Sequence, residues 1–231
     1  MAIFPENVIR ERCIDNAWRS AMWCCIRNGY VYKVKKGSYE GQKRWQLPEA
    51  MIIIEEPWTR PLAVTIPENF GFAPPTSEKR INDYFEEYII GEEKEETEDY
   101  TYGQYISRQW ERAVNLLNIS EGSTNQATIT IGDSKSIFLD SPPCLRSISF
   151  KVLPEEIPKL QMSVYFRSWD LFAGLPENLG GLQLLKEFVL LHLTFKVSDG
   201  PLVAYSDGLH IYEQYFELVN LLNADKIPLT D

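Results

Sequence analysis

Three short stretches of the chain carry residue types that could do chemistry together. Residues 141–144 read SPPC: two prolines fix φ and restrict the residue before them, so Cys144 leaves the turn in a defined direction. As a thiolate it would be a nucleophile; as a buried thiol it would be a small apolar filler, and this segment alone leaves both readings open. Residues 165–181, YFRSWDLFAGLPENLGG, gather Arg167, Ser168, Asp170 and Asn178 at the junction of a predicted strand and helix. The Arg167 fork with the Ser168 hydroxyl suits a phosphate, and Asn178, with one acceptor and two donors, suits a pyrimidine edge. Each residue also fits a capped turn or a surface ion pair. In SDGLHIYEQY, His210 and Tyr212 stand two apart at the expected start of the last helix, a pair able to bond a sugar hydroxyl, although a histidine near a helix start also serves structure. His192, inside a Leu-rich segment, reads as core or cap.

The elements that must position these groups follow from periodicity and breakers. Apolar residues Val8, Ile9, Cys13, Ala17, Trp18, Ala21, Met22 and Cys25 predict a packing helix over 6–27 that stops near Gly29. YVYKVKKGSYEGQKRWQL predicts a strand and a glycine loop holding Lys35, Lys36, Lys43 and Arg44, followed by the strand AMIIIEE. Prolines 57, 61, 67, 74 and 75 make 57–75 irregular; Ser77 then caps a helix to about Ile90, and another runs from Gly103 to Asn118. The acidic run EEYIIGEEKEETED between them reads as a solvated helix end and loop. Two strands between Leu145 and about Ser168 turn around LPEEIPK. The Leu-rich helix ENLGGLQLLKEFVLLHLTF, interrupted by Lys186 and Glu187, is a buried helix and not a membrane span. A strand GPLVAYSD and a closing helix HIYEQYFELVNLL complete an α/β protein of the α+β type, a mixed sheet packed by helices in one domain over residues 1–231.

Twenty-three basic against 33 acidic residues, a formal charge of -10, argue against a duplex-binding or membrane-surface protein and leave a small anionic substrate open. Cys13, Cys24, Cys25 and Cys144 lack the Cys-x-x-Cys or Cys/His spacing of a zinc site, so no metal is expected. With no signal-like start and no apolar run of 18 residues, the expectation is a cytoplasmic protein with reduced thiols.

In this order, SPPC, FRSWDLFAGLPENLGG and HIYE resemble the active-site signatures of the thymidylate synthase family in its short archaeal form: Pro-Pro-Cys, then Arg-Ser-x-Asp-x-x-x-Gly-x-Pro-x-Asn, then His-x-Tyr. Residues 101–103, TYG, resemble its Tyr-Gly element ahead of a helix. The resemblance implies a homodimer that methylates ring carbon 5 of dUMP to give dTMP, with 5,10-methylene-tetrahydrofolate or a related archaeal pterin as donor. It implies Cys144 as nucleophile, with Tyr102 and Asp170 as further catalytic residues, Asp170 positioning the folate or the ring. Arg167 would favour the thiolate and, with Ser168, bind the phosphate; Asn178 would read the base, favouring uracil; His210 and Tyr212 would hold the sugar hydroxyl. The alternatives are a pyrimidine nucleotide hydroxymethylase of the same fold, in which water traps the exocyclic methylene, and a non-catalytic nucleotide-binding paralogue.

The sequence departs from that pattern in places. Thr124, Asn125 and Gln126 stand where the family places two arginines that reach a partner's phosphate site, leaving Lys43 and Arg44 as the expected compensating cations. Phe166 replaces a common Gln and Leu145 a common His; the nearest candidates for the family's acid/base glutamate are Glu86 and Glu87; the ending NADKIPLTD differs from the family's closing tail.

Overall fold

A computed structural model of the chain describes residues 7–37, 39–94, 96 and 99–224. Among these, β1 (Val8–Glu11), β4 (Ala50–Ile54), β9 (Ser198–Ser206), β7 (Lys159–Phe166), β6 (Leu145–Leu153) and β5 (Thr128–Thr130) form one mixed sheet in that order. β2 (Tyr30–Lys33), β3 (Lys43–Gln46), β10 (Leu209–Tyr212) and β8 (Trp169–Asp170) form a second. The period-2 alternation of the long strands turns Ile52, Ile148, Phe150, Met162, Val164, Leu202 and Ala204 inward, where α1 (Ile14–Asn28) and α5 (Gly174–Leu191) pack on them. The opposite face presents Ser147, Ser149, Gln161, Ser163, Tyr165, Val203 and Tyr205, all half-buried.

α5 is apolar on nearly every side because it lies between the sheet and α2 (Glu78–Tyr84). Its interrupting Lys186 is fully buried and pairs with Asp199 at 2.8 Å, so the charge that distinguishes this helix from a membrane span is satisfied inside the core. No helix of the described residues is long and apolar enough to cross a membrane.

The mixed α/β architecture agrees with the expectation; several elements do not. The helix expected over 6–27 begins only at Ile14. Val8–Glu11 instead pairs in parallel with Ala50–Ile54, and Cys13 is extended at φ -131° before the first turn. Ser77 does cap its helix, accepting from the Arg80 amide at 3.2 Å, but the α form ends at Tyr84 and a π-helical turn covers Phe85–Ile89. The helix expected from Gly103 to Asn118 is split into α3 (Gly103–Ile106) and α4 (Trp110–Ile119). Gln109 marks the break: its amide exchanges hydrogen bonds with the Thr130 N–H (3.1 Å) and C=O (2.8 Å), extending the edge of β5. His210 and Tyr212 do not open the last helix. They lie on β10, between β3 and β8, and the helix α6 starts only at Phe216, running to Leu222. In a strand, residues two apart share a face, so this correction brings the pair together.

Candidate active site

The Pro-Pro-Cys turn is organised by Arg167, which lies between β7 and β8. Its Nε donates to the Pro143 carbonyl at 3.1 Å and its Nη2 to the Pro142 carbonyl at 2.5 Å, which leaves Nη2 3.8 Å from Cys144 Sγ. The two prolines therefore supply rigid acceptors that aim a guanidinium at the thiol. From the other side, Tyr100 and Tyr102 accept hydrogen bonds from the Cys144 amide (3.4 Å) and the Leu145 amide (3.2 Å) through their hydroxyls. Burial pushes the thiol up from its ordinary value, while Arg167 and, less strongly, Arg44 pull it back. Tyr102 belongs to the Tyr-Gly element read from sequence. Tyr100, two residues earlier, carries no motif of its own, and its part in the site is visible only in the fold. The glycine of that element is dictated by packing, since a Cβ on Gly103 would stand 2.0 Å from the Gly91 carbonyl oxygen.

Asn178 sits on the second turn of α5. Its Oδ1 accepts from the Trp169 indole N–H at 2.8 Å and its Nδ2 donates to the Tyr84 hydroxyl at 2.8 Å. Tyr84 reaches it because Gly181 leaves room: a Cβ there would lie 2.7 Å from the Tyr84 ring. Tyr84 stacks on Tyr88, which packs edge-on against Tyr102, so an aromatic cluster connects Asn178 to the Cys144 turn. Burial holds the Tyr84 and Tyr102 phenols well above their ordinary range, so both are neutral. Glu86 and Glu87, the expected acid candidates, are exposed and line a surface groove with Glu92 and Glu93; the helix residue bonded into the site is Tyr84.

β10 carries the third group. His210 is 2% exposed, and its Nδ1 lies 2.9 Å from the Gly208 carbonyl, an acceptor that places the proton on Nδ1. Nε2 is then a buried acceptor with no partner among the described residues. Burial pushes this imidazole down to about 4 and it is neutral. Tyr212 lies edge-on to it at 4.8 Å, beneath the Arg44 guanidinium at 5.1 Å from the ring centroid. Arg44, register partner of Tyr212 on β3, is thus inside the site, whereas Lys43 turns away to pair with Glu213 at 3.3 Å. Asp170 faces His210 in the β8–β10 register and accepts from the Phe172, Ala173 and Gly174 amides at the start of α5; burial holds it up to about 6.

Ser168 is half-buried beside Arg167. A cavity of about 500 Å³ adjoins Arg167, which lines it with Asp133, Ser134, Ile137, Pro142 and Arg146. Arg146 enters it because the β6–β7 register slips between Leu145 and Ser147, making Arg146 the extra residue of a β-bulge. Sequence reasoning missed Arg146, since a bulge leaves no periodic signal. Asp133 in the same wall is occupied by the amides of Lys135 and Ser136. Thr124–Gln126 lie beside Lys151–Leu153, at the end of β6 remote from Cys144. Only Asn223 and Ala224 of the ending NADKIPLTD fall within the described residues; 225–231 lie outside them.

The profile of the family described as Thymidylate synthase matches residues 109–227, more than half of the chain. The chain is 28% identical over 223 residues to a protein of Methanosarcina barkeri named "Putative thymidylate synthase", covering 92% of this chain and 93% of that one. Proteins of the same name from Methanosarcina acetivorans and Methanopyrus kandleri are 28% and 23% identical, covering 92% and 90% of this chain and 93% of each relative.

Proposed function

The chain belongs to the thymidylate synthase family of methyltransferases, and from that premise we propose that it transfers a one-carbon unit to ring carbon 5 of dUMP, giving dTMP. The observation that carries this reading is the Arg167 guanidinium, held by the Pro142 and Pro143 carbonyls within 3.8 Å of the Cys144 sulfur. Carbon 5 of uracil is a poor nucleophile. A thiolate adding to carbon 6 breaks the ring conjugation and leaves an enolate whose negative charge is shared by carbon 5 and the 4-oxygen.

Each side chain has a duty in that scheme. Cys144 supplies the thiolate, which Arg167 and Arg44 favour against the cost of burial. Asn178 donates to the 4-oxygen as it gains charge and accepts from the ring N3–H. Tyr102 and Tyr100 fix the backbone on both sides of the sulfur. His210 Nε2 accepts from the sugar hydroxyl, with Tyr212 beside it. Arg167 and Ser168 bind the phosphate, and Arg146 completes that site from the same chain in place of arginines absent at 124–126.

The family's folate cofactor, here 5,10-methylene-tetrahydrofolate or a related archaeal pterin, supplies the one-carbon unit and the hydride. Asp170 fits a pterin edge: its oxygens are shared with α5 amides yet keep free lone pairs, and its raised value lets it donate or accept near neutrality. The half-buried opposite face of the large sheet supports a homodimer packed through it.

The test is tritium release from position 5 of dUMP, dCMP, UMP and CMP with methylene-tetrahydrofolate, with mass spectrometry of each product. Release from dUMP with a methylated product is expected. A product one oxygen heavier would make the protein a hydroxymethylase, and binding without release from any nucleotide would make it a non-catalytic paralogue.

A further inference from the structure

The Asn178 side chain is locked, and the lock has a chemical polarity. Indole N–H only donates, so the amide atom 2.8 Å from Trp169 Nε1 must be the oxygen, and the NH2 group must face Tyr84. Tyr84 by itself would permit either orientation, because a hydroxyl both donates and accepts. Trp169 is the group that chooses.

Trp169 cannot turn to release the choice. It is 2% exposed, its ring lies flat on Phe166 at 4.0 Å with 5° between planes, and its backbone N–H is bonded to the Gly208 carbonyl at 3.0 Å. Phe166 is itself fully buried on β7. Phe166, the departure from the family's glutamine, and Trp169, at the variable position of the Arg-Ser-x-Asp run, are therefore one stacked unit.

After both bonds are counted, Asn178 keeps one lone pair on Oδ1 and one hydrogen on Nδ2. That acceptor–donor pair complements the N3–H and 4-oxygen of uracil. Cytosine presents the reverse, an acceptor at N3 and an amino donor at carbon 4. An unconstrained asparagine could rotate by half a turn and read cytosine too; here rotation would set the NH2 against the indole N–H and leave a buried donor unpaired.

We propose that Trp169, braced by Phe166, is a positioning residue that makes this site select uracil over cytosine nucleotides by fixing the orientation of the Asn178 amide. The inference rests on the reading of Asn178 as the base-binding residue. A purely structural role for Trp169 would account for its burial and stacking but would not set a base preference.

Trp169→Phe retains a ring on Phe166 and removes the N–H. Binding of dUMP and dCMP to the full chain is measured by calorimetry without cofactor, so the result does not depend on turnover. The wild type is expected to prefer dUMP, and the variant to narrow the dUMP-to-dCMP affinity ratio by about 10- to 100-fold, the equivalent of one buried unpaired donor. A folded variant that keeps the wild-type ratio overturns the inference and leaves the synthase reading intact. A wild type that binds neither nucleotide overturns both. If Trp169→Phe does not fold, replacement of Trp169 by benzothienylalanine, which has the same two-ring shape without the N–H, takes its place with the same two outcomes.

Discussion

The two ends of the site are built on different physics. At the thiol and phosphate end, Arg167 and Arg146 project from a turn and a bulge into a cavity of about 500 Å³, and Arg167 is held by carbonyls of a proline turn. At the base and sugar end, Asn178, Trp169, Tyr84 and His210 hang on strands and helices, Asn178 bonded to Trp169 and Tyr84 at 2.8 Å and His210 to the Gly208 carbonyl at 2.9 Å. Charges near solvent attract a dianion but are screened and tolerant of position. Neutral bonds away from water tolerate no mismatch, because an unpaired partner has nothing to replace it. On the proposed function, affinity for the nucleotide falls to the open end and its identity to the closed one.

The sharpest way to break that division is at the sulfur, where the ends meet. Cys144→Ser should lower tritium release from dUMP by about 10⁴-fold or more while leaving dUMP binding within a few-fold of wild type. Retained turnover would remove Cys144 from the mechanism. Arg167→Ala loses two charge-assisted contacts to phosphate at roughly 1.5–3 kcal/mol each, a fall of about 10²- to 10⁴-fold in kcat/KM. It should also move alkylation of Cys144, followed by peptide mass spectrometry, to higher pH, because the thiolate loses its nearest cation. An unmoved profile would mean that Arg167 serves the phosphate alone.

The two ends were also unequally legible in the sequence. Cys144, Arg167, Ser168, Asp170 and Asn178 lie in compact motifs whose spacing survives any error in element boundaries, and the structure sets Arg167 against Cys144 and groups Asp170 with Asn178 around Gly174. His210 and Tyr212 were found by type and misplaced by element. HIYEQYFELVNLL has helical periodicity as a whole, and only pairing with β3 and β8 makes its first residues a strand. Tyr84, Trp169 and Arg146 were not legible as site residues. Tyr84 arrives through the fit of Gly181 to its ring, Trp169 through stacking on Phe166 across the bend between β7 and β8, and Arg146 through a register slip; all three are tertiary facts. The first helix failed for a similar reason, since Val8 and Ile9 continue a helical pattern that the edge of the sheet overrides.

The closed end can be tested by titration, for its two ionisable register partners pull in opposite directions. His210 is pushed down to about 4 from an ordinary 6.5, so its contribution to stability is present above 6.5 and lost as pH falls through about 4. Asp170 is held up to about 6 from 3.8, so its contribution is present below 3.8 and lost as pH rises through about 6. Each spans on the order of 3 kcal/mol, and between about pH 4 and 6 they offset one another. Relative to wild type, His210→Gln should gain stability as pH falls from 6.5 to 4, and Asp170→Asn should gain as pH rises from 4 to 6. Urea unfolding midpoints across that range measure both. A difference from wild type that is flat with pH would show that the site is wetter than its burial implies.

The smallest effect belongs to Arg146, and it asks whether the open end is complete within one chain. Half-buried and engaged by no hydrogen bond or ion pair among the described residues, its guanidinium is available to a phosphate beside Arg167. Arg146→Gln should raise KM for dUMP by about 10- to 100-fold through the loss of one charge-assisted contact and leave kcat unchanged, since the contact is the same before and at the transition state. The dependence of KM on salt should also become shallower, because one screened charge has gone. Turnover of deoxyuridine, which has no phosphate, should not change. If KM for dUMP is unaltered, the dianion is held by Arg167 with Arg44 instead, and the bulge after Cys144 serves only to turn the chain.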